Sequence, residues 1–481
     1  MNTQNEKMTN YRWVICSMLF FATTVNYMDR QVLSLTWKDF IAPEFHWTNA
    51  DYGNITATFS IIYALAMLFA GKFVDWMDTK KGYLWSIGVW SFGACLHALC
   101  GIGTEWVVGL DSAEALRIAE GADLVAKIAS ISVTFFIIAR FVLAVGEAGN
   151  FPAAIKATAE FFPKKDRAFA TSIFNAGATV GALAAPVSIP FIAASFGWEL
   201  AFLIIGALGF VWMGFWVFIY KKPEAHPRVN ASELSYIRQD NDHEPAGTTE
   251  APAKKMPFMQ CFTYKQTWAF AFGKFMTDGV WWFFLFWTPA YLSSVYGLDS
   301  TQSAPQIFVL YLITLLSIVG GWLPTYFVEK KGMHPYAGRM RSMLIFAFFP
   351  LLALLAQPLG GMTEEFGALA VWFPVVIIGI AGAAHQAWSA NIFSTVGDMF
   401  PRSAIATVTG IGGMAGGVGA FVINMSSGVL FDHATNTQMQ FMGFKGIEAG
   451  YFIIFSICAV SYLIGWVVMK MLVPTYKKIN L

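Results

Sequence analysis

Twelve apolar runs, each long enough to cross a lipid bilayer, constrain this chain more than any other feature. A spanning helix needs about 20 mostly apolar residues. The runs lie near residues 13–35, 52–75, 83–102, 131–153, 168–193, 199–220, 265–293, 305–328, 340–358, 367–393, 404–431 and 449–473. Only 13% of the residues are charged, against about 25% in soluble domains. The sequence therefore predicts an all-α membrane protein with twelve transmembrane helices.

The basic residues predict how these helices are oriented. With the N-terminus in the cytoplasm, most of the 31 Lys and Arg residues fall in loops on that side, as the positive-inside rule requires. The basic residues assigned to outer loops are Lys38, Arg117, Lys127 and Lys445. We therefore expect both termini to be cytoplasmic and the chain to lie in the inner (cytoplasmic) membrane of the cell.

One long hydrophilic segment divides the twelve runs into six and six. Residues 221–264 are rich in Pro, Gly, Thr and charge, which is typical of a linker, and a short helix is expected at 232–239. The predicted domains are a six-helix bundle at 1–220, this cytoplasmic linker, and a second bundle at 265–481. Two such halves are typical of secondary transporters. The acidic outer segment 104–130 is expected to contain a short helix and is assigned no function.

Composition and motifs argue against other classes of protein. A net charge of +1 provides no basic surface that could follow the phosphates of a nucleic acid. No Ser-His-Asp set, nucleotide loop or metal-binding motif is recognisable, so we expect neither an enzyme nor a bound cofactor or metal. The five cysteines lie mostly in apolar runs and are interpreted as free buried thiols.

Six ionisable residues lie inside the predicted spans, where a charge is costly and each is therefore a functional candidate. They are Asp29, Arg30, Arg140, Glu147, Lys274 and Asp278. Their charges cancel. The competing interpretation is a structural charge network, although apolar packing would hold the helices together at lower cost.

Spans one and four carry four of these residues. Arg140 and Glu147 are seven residues apart, so they share a helix face at a separation of about 10 Å along the axis. Each therefore has room for another partner: a carboxylate ligand, a proton or span one. Asp29 and Arg30 point about 100° apart, so one can face a cavity and the other a neighbouring span. In the alternative interpretation, both lie near the outer interface and are partly hydrated.

Span seven combines charge with aromatic rings. Lys274 and Asp278 are an i, i+4 pair, and they could simply neutralise each other. Trp281 and Trp282 follow, and they offer flat faces for the apolar face of a sugar ring. In the alternative interpretation, both tryptophans simply pack in the core of the protein.

Span ten contains a short polar series. We expect Gln386, Ser389 and Asn391 to hydrogen-bond with hydroxyl groups of a ligand. His385 precedes them, and it is interpreted as a structural residue rather than a proton carrier.

The loop between spans two and three carries the motif Gly71-x-x-x-Asp75, followed by Lys80 and Lys81. We expect Asp75 to accept hydrogen bonds from the N-terminus of a neighbouring helix and to act in gating, while the lysines lie among lipid headgroups. A related run at 320–341 lies between spans eight and nine. The repetition indicates that the two halves are internal repeats.

At these residues the chain resembles members of the major facilitator superfamily. The Gly71 to Lys81 loop is similar to its signature loop, although the family usually has a basic residue after the aspartate and a glycine where Asp78 stands. Within the superfamily, the chain resembles the anion:cation symporters and, among these, hexuronate transporters. The resemblance extends from Tyr11 to about Pro474. The matching segments are 26–30, 140–148, 161–167, 174–177, 281–282 and 384–389.

The resemblance implies two pseudo-symmetric six-helix bundles around a central cavity. It also implies proton-driven uptake of a monocarboxylate sugar such as glucuronate or galacturonate, with Glu147 and Asp29 as proton sites. The expected substrate-binding residues are Tyr27, Arg30, Arg140, Trp281, Trp282, Gln386, Ser389 and Asn391. Another organic anion such as an aldonate, coupling to Na⁺, and an exporter or antiporter of the same fold stay open as alternatives. We expect a monomer that contacts membrane lipid.

Overall fold

The computed structural model describes residues 7–239 and 256–479. Each of the twelve predicted spans corresponds to one long helix or to a broken helix. The helices of the N-terminal half are α1 (Tyr11–Thr36), α2 (Ala42–Phe45), α3 (Asn49–Met77), α4 (Thr79–His97), α5 (Cys100–Val108), α6 (Ala113–Arg117), α7 (Ala122–Glu147), α8 (Asn150–Phe161), α9 (Lys164–Phe196) and α10 (Trp198–Ile219).

Two short helices in the predicted linker, α11 (Ala231–Arg238) and α12 (Phe258–Cys261), precede the C-terminal half. The helices of that half are α13 (Lys265–Tyr296), α14 (Ala304–Thr314), α15 (Val319–Lys331), α16 (Pro335–Phe348), α17 (Ala356–Gly360), α18 (Thr363–Phe366), α19 (Trp372–Met399), α20 (Arg402–Thr437) and α21 (Ile447–Leu472). A two-stranded antiparallel hairpin, β1 (Gln440–Phe441) and β2 (Phe444–Lys445), lies between the last two.

Irregular turns interrupt several of the spans. A π-helical turn at Trp37–Ile41 follows α1, and 3₁₀ turns at Leu315–Ile318 and Phe349–Leu355 lie inside spans eight and nine. Two further 3₁₀ turns lie in the linker, at Pro223–Ala225, and at the start of predicted span ten, at Gly367–Leu369, before the long helix α19. Span three bends by 48° between α4 and α5.

By length and composition, nine spans of the described chain could cross a membrane, and the bent pair makes ten. The two long helices outside that set are α1 and α13, which carry embedded charged residues of the candidate site. Together they give the multi-pass architecture of twelve helices that the sequence predicts.

The two halves meet closely along α3 and α20. Small residues make this approach possible: a Cβ atom on Gly53 would lie 2.8 Å from the Asn424 carbonyl oxygen, and one on Gly428 would lie 2.4 Å from the Asn49 carbonyl oxygen. Such contacts let helix backbones pack together inside a membrane.

One end of this interface is held by two aspartates that each cross to the other half. Asp432 of α20 accepts hydrogen bonds from the backbone N–H groups of Asn49 (2.9 Å) and Ala50 (2.6 Å), in the first turn of α3. Asp39 accepts from the backbone N–H of Ser300 at 2.6 Å and from the Ser293 hydroxyl at 3.3 Å. The position of Asp432 is favourable because a carboxylate is stabilised at a helix N-terminus. Together, the contacts of the two aspartates hold the halves against each other at that end.

The predicted linker helix is present as α11, and it packs on the N-terminal half. Glu233 is fully buried and accepts hydrogen bonds from the backbone N–H groups of Tyr11 (3.0 Å) and Arg12 (3.1 Å). Its carboxylate also forms an ion pair with the Arg12 guanidinium at 3.1 Å. The linker thereby caps the start of α1, a contact that the sequence did not reveal. Residues 240–255 of the predicted linker lie outside the described chain.

Two smaller predictions are confirmed by the structure. The short helix expected in the outer segment is α6. The five cysteines are free thiols, and four of them are buried.

Candidate functional site

A buried ion pair between spans one and four forms the centre of the N-terminal half. The Nη2 and Nε atoms of Arg30 donate to Oε2 of Glu147 at 2.7 and 3.0 Å. Both side chains are buried, and Oε1 of Glu147 makes no hydrogen bond with any residue of the described chain. Glu147 therefore takes its partner from span one, one of the options that its distance from Arg140 left open.

Four aromatic rings surround the Arg30 guanidinium, and we call them the aromatic cage. They are Tyr27 at 5.1 Å, Phe59 at 5.9 Å, Tyr63 at 4.8 Å and Trp282 at 5.2 Å from the guanidinium carbon to the ring centroids. Ring faces attract cations at such distances. Because Trp282 belongs to the C-terminal half, the cage joins the two halves around one cation.

Arg140 is the second buried guanidinium, and it differs sharply from Arg30. It is only 1% exposed, and its Nε, Nη1 and Nη2 atoms find no hydrogen-bond partner within 7–239 and 256–479. Its guanidinium carbon lies 5.3 Å from the centroid of the Phe59 ring, so Phe59 lies beside both guanidinium groups. A buried cation without an acceptor is costly. The arrangement therefore offers a binding site to an anion.

Asp29 points away from Arg30, as the sequence predicts for adjacent residues on one helix. It is buried, and neither carboxylate oxygen is hydrogen-bonded to a described residue. The Trp90 indole of α4 is its polar neighbour on that side, and the two groups lie close together without the distance and angle of a regular hydrogen bond. Because both Asp29 and Arg30 are buried, the alternative of a partly hydrated pair at the outer interface is wrong.

Lys274 and Asp278 form the ion pair that their spacing allows. Lys274 Nζ lies 2.8 Å from Asp278 Oδ2, and the side chains are 6% and 15% exposed. Lys274 Nζ also lies 4.2 Å from the centre of the Phe393 ring on α19. In the C-terminal half, therefore, both embedded charges are neutralised by each other.

Trp281 and His385 form a stacked pair in the C-terminal half. Their ring centroids lie 5.4 Å apart with an interplanar angle of 4°, and His385 Nδ1 is hydrogen-bonded to the Tyr462 hydroxyl at 2.8 Å. These contacts favour the structural interpretation of His385. Trp281 remains half-buried, so one part of its surface is open.

The polar series of span ten divides into two groups. The Asn391 amide donates to the carbonyl oxygens of Gly320 (2.9 Å) and Ala387 (2.8 Å), so its NH₂ group is used inside the fold. This NH₂ group is therefore not free for a ligand hydroxyl, and a ligand contact of Asn391 stays a prediction for its Oδ1 atom alone. Gln386 and Ser389 are half-buried, and no hydrogen bond to another described residue occupies either side chain.

Asp78, and not Asp75, takes the helix-capping role that the loop motif predicts for Asp75. Asp75 belongs to the last turns of α3, its side chain is 74% exposed, and it pairs with Lys156 at 3.1 Å. Asp78 instead accepts from the Thr79 N–H at the start of α4 and pairs with Lys222 at 3.2 Å. Partial burial favours the neutral acid, but the Thr79 N–H and Lys222 hold the pKa of Asp78 below its usual range. The expectation that Asp75 binds a helix N-terminus is thus wrong.

The backbone at Asp78 explains why the family pattern has glycine there. Its φ of 66° and ψ of 153° lie in a region that side chains disfavour. The aspartate tolerates this conformation while it caps α4.

Phe59 and Tyr63 are site residues that sequence reasoning missed. They lie four residues apart on α3, and that spacing shows only that they share a helix face. Their contact with Arg30 depends on where α3 lies relative to α1 in the folded protein, which no local pattern reveals.

The fold and this buried charge network define a membrane transporter rather than an enzyme. No group of three or more His, Cys, Asp or Glu side chains that could hold a metal occurs in the described ranges. The Major Facilitator Superfamily model matches residues 19–424. The chain therefore belongs to the Major Facilitator Superfamily.

Similar proteins carry sugar acids. The chain is 27% identical to the hexuronate transporter of Escherichia coli (strain K12) over 427 residues, which cover 89% of each chain. It is 25% identical to the probable galactarate/D-glucarate transporter of the same strain over 459 residues, covering 93% of this chain and 94% of the relative. A crystal structure of a bacterial homolog to the human lysosomal transporter Spinster, in an inward-facing and occupied conformation, matches with a TM-score of 0.64. That match has 18% identity and covers 98% of each chain.

Proposed function

We propose that the protein is a proton-coupled symporter that imports a monocarboxylate sugar acid such as glucuronate or galacturonate. The observation that carries the proposal is the buried Arg140 guanidinium, whose three nitrogens have no acceptor among the described residues. A carboxylate fits a guanidinium in a bidentate pair. The names of the relatives, a hexuronate transporter and a probable galactarate/D-glucarate transporter, agree with a sugar acid as substrate.

Charge balance in the N-terminal half accounts for the coupled proton. When Asp29, Arg30, Arg140 and Glu147 are all ionised, their charges cancel. A substrate carboxylate at Arg140 adds one negative charge in a buried environment, which is costly, and one proton removes it. Binding of the acid and binding of the proton therefore favour each other.

Glu147 is the proton site in this proposal, and Asp29 is its alternative. Protonation of Glu147 removes the negative partner of Arg30, whose guanidinium the aromatic cage still holds in place. Arg30 then adds a second positive group for the substrate carboxylate. Release of the proton restores the ion pair and expels the anion.

The C-terminal half supplies the contacts for the uncharged part of the substrate. Trp281 and Trp282 present ring surfaces, and Gln386 and Ser389 have hydrogen-bonding groups that are not used by described residues. Tyr27 adds a hydroxyl from the N-terminal half. These residue types suit a sugar with one apolar face and several hydroxyl groups.

The contacts between the halves indicate which end of the proposed transporter is closed. Asp39 and Asp432 close one end, and we assign that end to the outside of the cell on the basis of the positive loops at the other end. A closed outer end is shared by inward-facing and occluded states. Gating at the inner end is proposed for Asp75, through its pair with Lys156.

Uptake by the purified protein in liposomes tests the proposed function. An imposed proton gradient is expected to drive accumulation of radiolabelled glucuronate or galacturonate, and unlabelled acid should compete while glucose and galactose do not. Accumulation that requires Na⁺ instead would replace the proton as the coupling ion. Competition by glucose as strong as that by glucuronate would contradict the proposal.

A further inference from the structure

The C-terminal half contains a charge pair for which the proposed function has no use. Lys274 and Asp278 are embedded in α13, where a neutralised pair could be replaced by apolar side chains at lower cost. Both residues share a helix face with Trp282, at spacings of eight and four residues. Trp282 contacts Arg30 of the opposite half. The pair therefore lies on the face of α13 that carries Trp282, the residue that contacts the opposite half.

Neighbouring helices hold the two charges in position. A Cβ atom on Gly416 of α20 would lie 2.2 Å from Asp278 Oδ2, so only a glycine leaves room for this carboxylate. On the other side, the Phe393 ring contacts Lys274 Nζ. Asp278 is the more exposed member of the pair, and it lies about 6 Å along the axis, one helical turn, from Trp282.

The cations of the spans differ in what they can offer a ligand. Arg30 is paired with Glu147, Lys274 is paired with Asp278, and Arg140 alone has no acceptor among residues 7–239 and 256–479. The site thus has one free cation, which matches one substrate carboxylate. A sugar diacid would bring a second carboxylate to a C-terminal half whose cation is already occupied.

We propose that Asp278 determines substrate specificity by occupying Lys274, so that acids with one carboxylate are accepted and sugar diacids are excluded. Asp278 takes the place that a second substrate carboxylate would otherwise fill. Its charge also repels such a group. This inference rests on the proposed function, because it concerns the substrate of the same site.

Removal of the Asp278 charge is expected to release Lys274. The ammonium group sits on a flexible four-carbon chain, and in Asp278→Asn it can reach the position that the carboxylate occupied. A charged hydrogen bond to the second carboxylate should then improve relative binding of a diacid by about tenfold.

Competition for bound radiolabelled glucuronate on the purified transporter measures this specificity. Unlabelled glucuronate and glucarate are compared as competitors in the wild-type protein, in Asp278→Asn and in the double variant Lys274→Met with Asp278→Asn. Asp398→Asn is the matched control, because Asp398 forms an ion pair of the same 2.8 Å length with Arg339 at the end of α19.

We expect glucarate to compete at least about tenfold more weakly than glucuronate in the wild type. Asp278→Asn should remove most of that difference, whereas the double variant and Asp398→Asn should keep it. Equal competition by both acids in the wild type would overturn the inference even if no variant folds. So would an unchanged ratio in a folded Asp278→Asn protein. Absence of any glucuronate binding would instead contradict the proposed function itself.

Discussion

The two halves of this transporter share one architecture but treat buried charge in different ways. In the C-terminal half, Lys274 and Asp278 neutralise each other within one helix. In the N-terminal half, the only pair between embedded charges, Arg30 with Glu147, connects two helices, and Arg140 and Asp29 have no hydrogen-bond partners among the described residues. Unsatisfied charge is therefore concentrated on one side of the proposed cavity.

The difference suggests that the two halves of the repeated fold have different roles. A pair within one helix can persist when helices move, because both partners move together. A pair between α1 and α7 depends on how those helices pack, and a proton or an anion can shift its balance. The N-terminal half is thus suited to coupling, while in our proposal the C-terminal half supplies rings and polar groups for recognition.

The largest effect is expected from Glu147→Gln, which removes the charge that responds to a proton. Gradient-driven accumulation of the sugar acid should fall to background because no proton can be released inside, while exchange of internal for external substrate continues. Asp29→Asn in the same assay ranks the two carboxylates. Full accumulation in Glu147→Gln with failure in Asp29→Asn would move the coupling site to Asp29.

A smaller effect is expected where the C-terminal half contacts the charge network. Trp282→Leu removes one ring from the aromatic cage around Arg30, and a cation–π contact of this kind corresponds to about a three- to tenfold loss of affinity. Equilibrium binding of glucuronate measures it. Trp322→Leu, at an exposed position on α15, is the matched control. Equal losses of affinity in both variants would show that Trp282 does not contribute to the binding site.

The smallest effect is expected at His385. Its ring is stacked on Trp281 and hydrogen-bonded to Tyr462, so we assign it no proton. His385→Gln should keep proton-driven uptake within about threefold of the wild type, which corresponds to the loss of one neutral hydrogen bond. A flattened pH profile of uptake in this variant would show that the C-terminal half also takes part in coupling.

The fold could be read from the sequence more completely than the site. The apolar runs predicted a helix or broken helix at all twelve positions, because a span must satisfy its own backbone inside the bilayer. The different directions of Asp29 and Arg30 also followed from helix geometry alone. These features depend on local physics, which a single sequence contains.

Long-range partners could not be read in the same way. Arg30 and Glu147 are 117 residues apart, and span four offered several possible partners for Glu147. Asn391 had the right chemistry for a ligand contact, but its amide is used by backbone carbonyl groups of the fold. Glu233 lies in a segment that composition identifies only as a linker, although it caps α1. Each depends on tertiary packing.

Calorimetric titration of glucuronate into the purified protein, wild type and Arg140→Lys, tests the central claim most directly. A lysine keeps the positive charge but cannot form the bidentate pair with a carboxylate. We expect the affinity for glucuronate to fall by at least about tenfold in Arg140→Lys, which corresponds to the loss of one charged hydrogen bond. The control Arg339→Lys changes the guanidinium that is paired with Asp398, and it should bind glucuronate like the wild type. Wild-type affinity in a folded Arg140→Lys protein would contradict the claim that Arg140 holds the substrate.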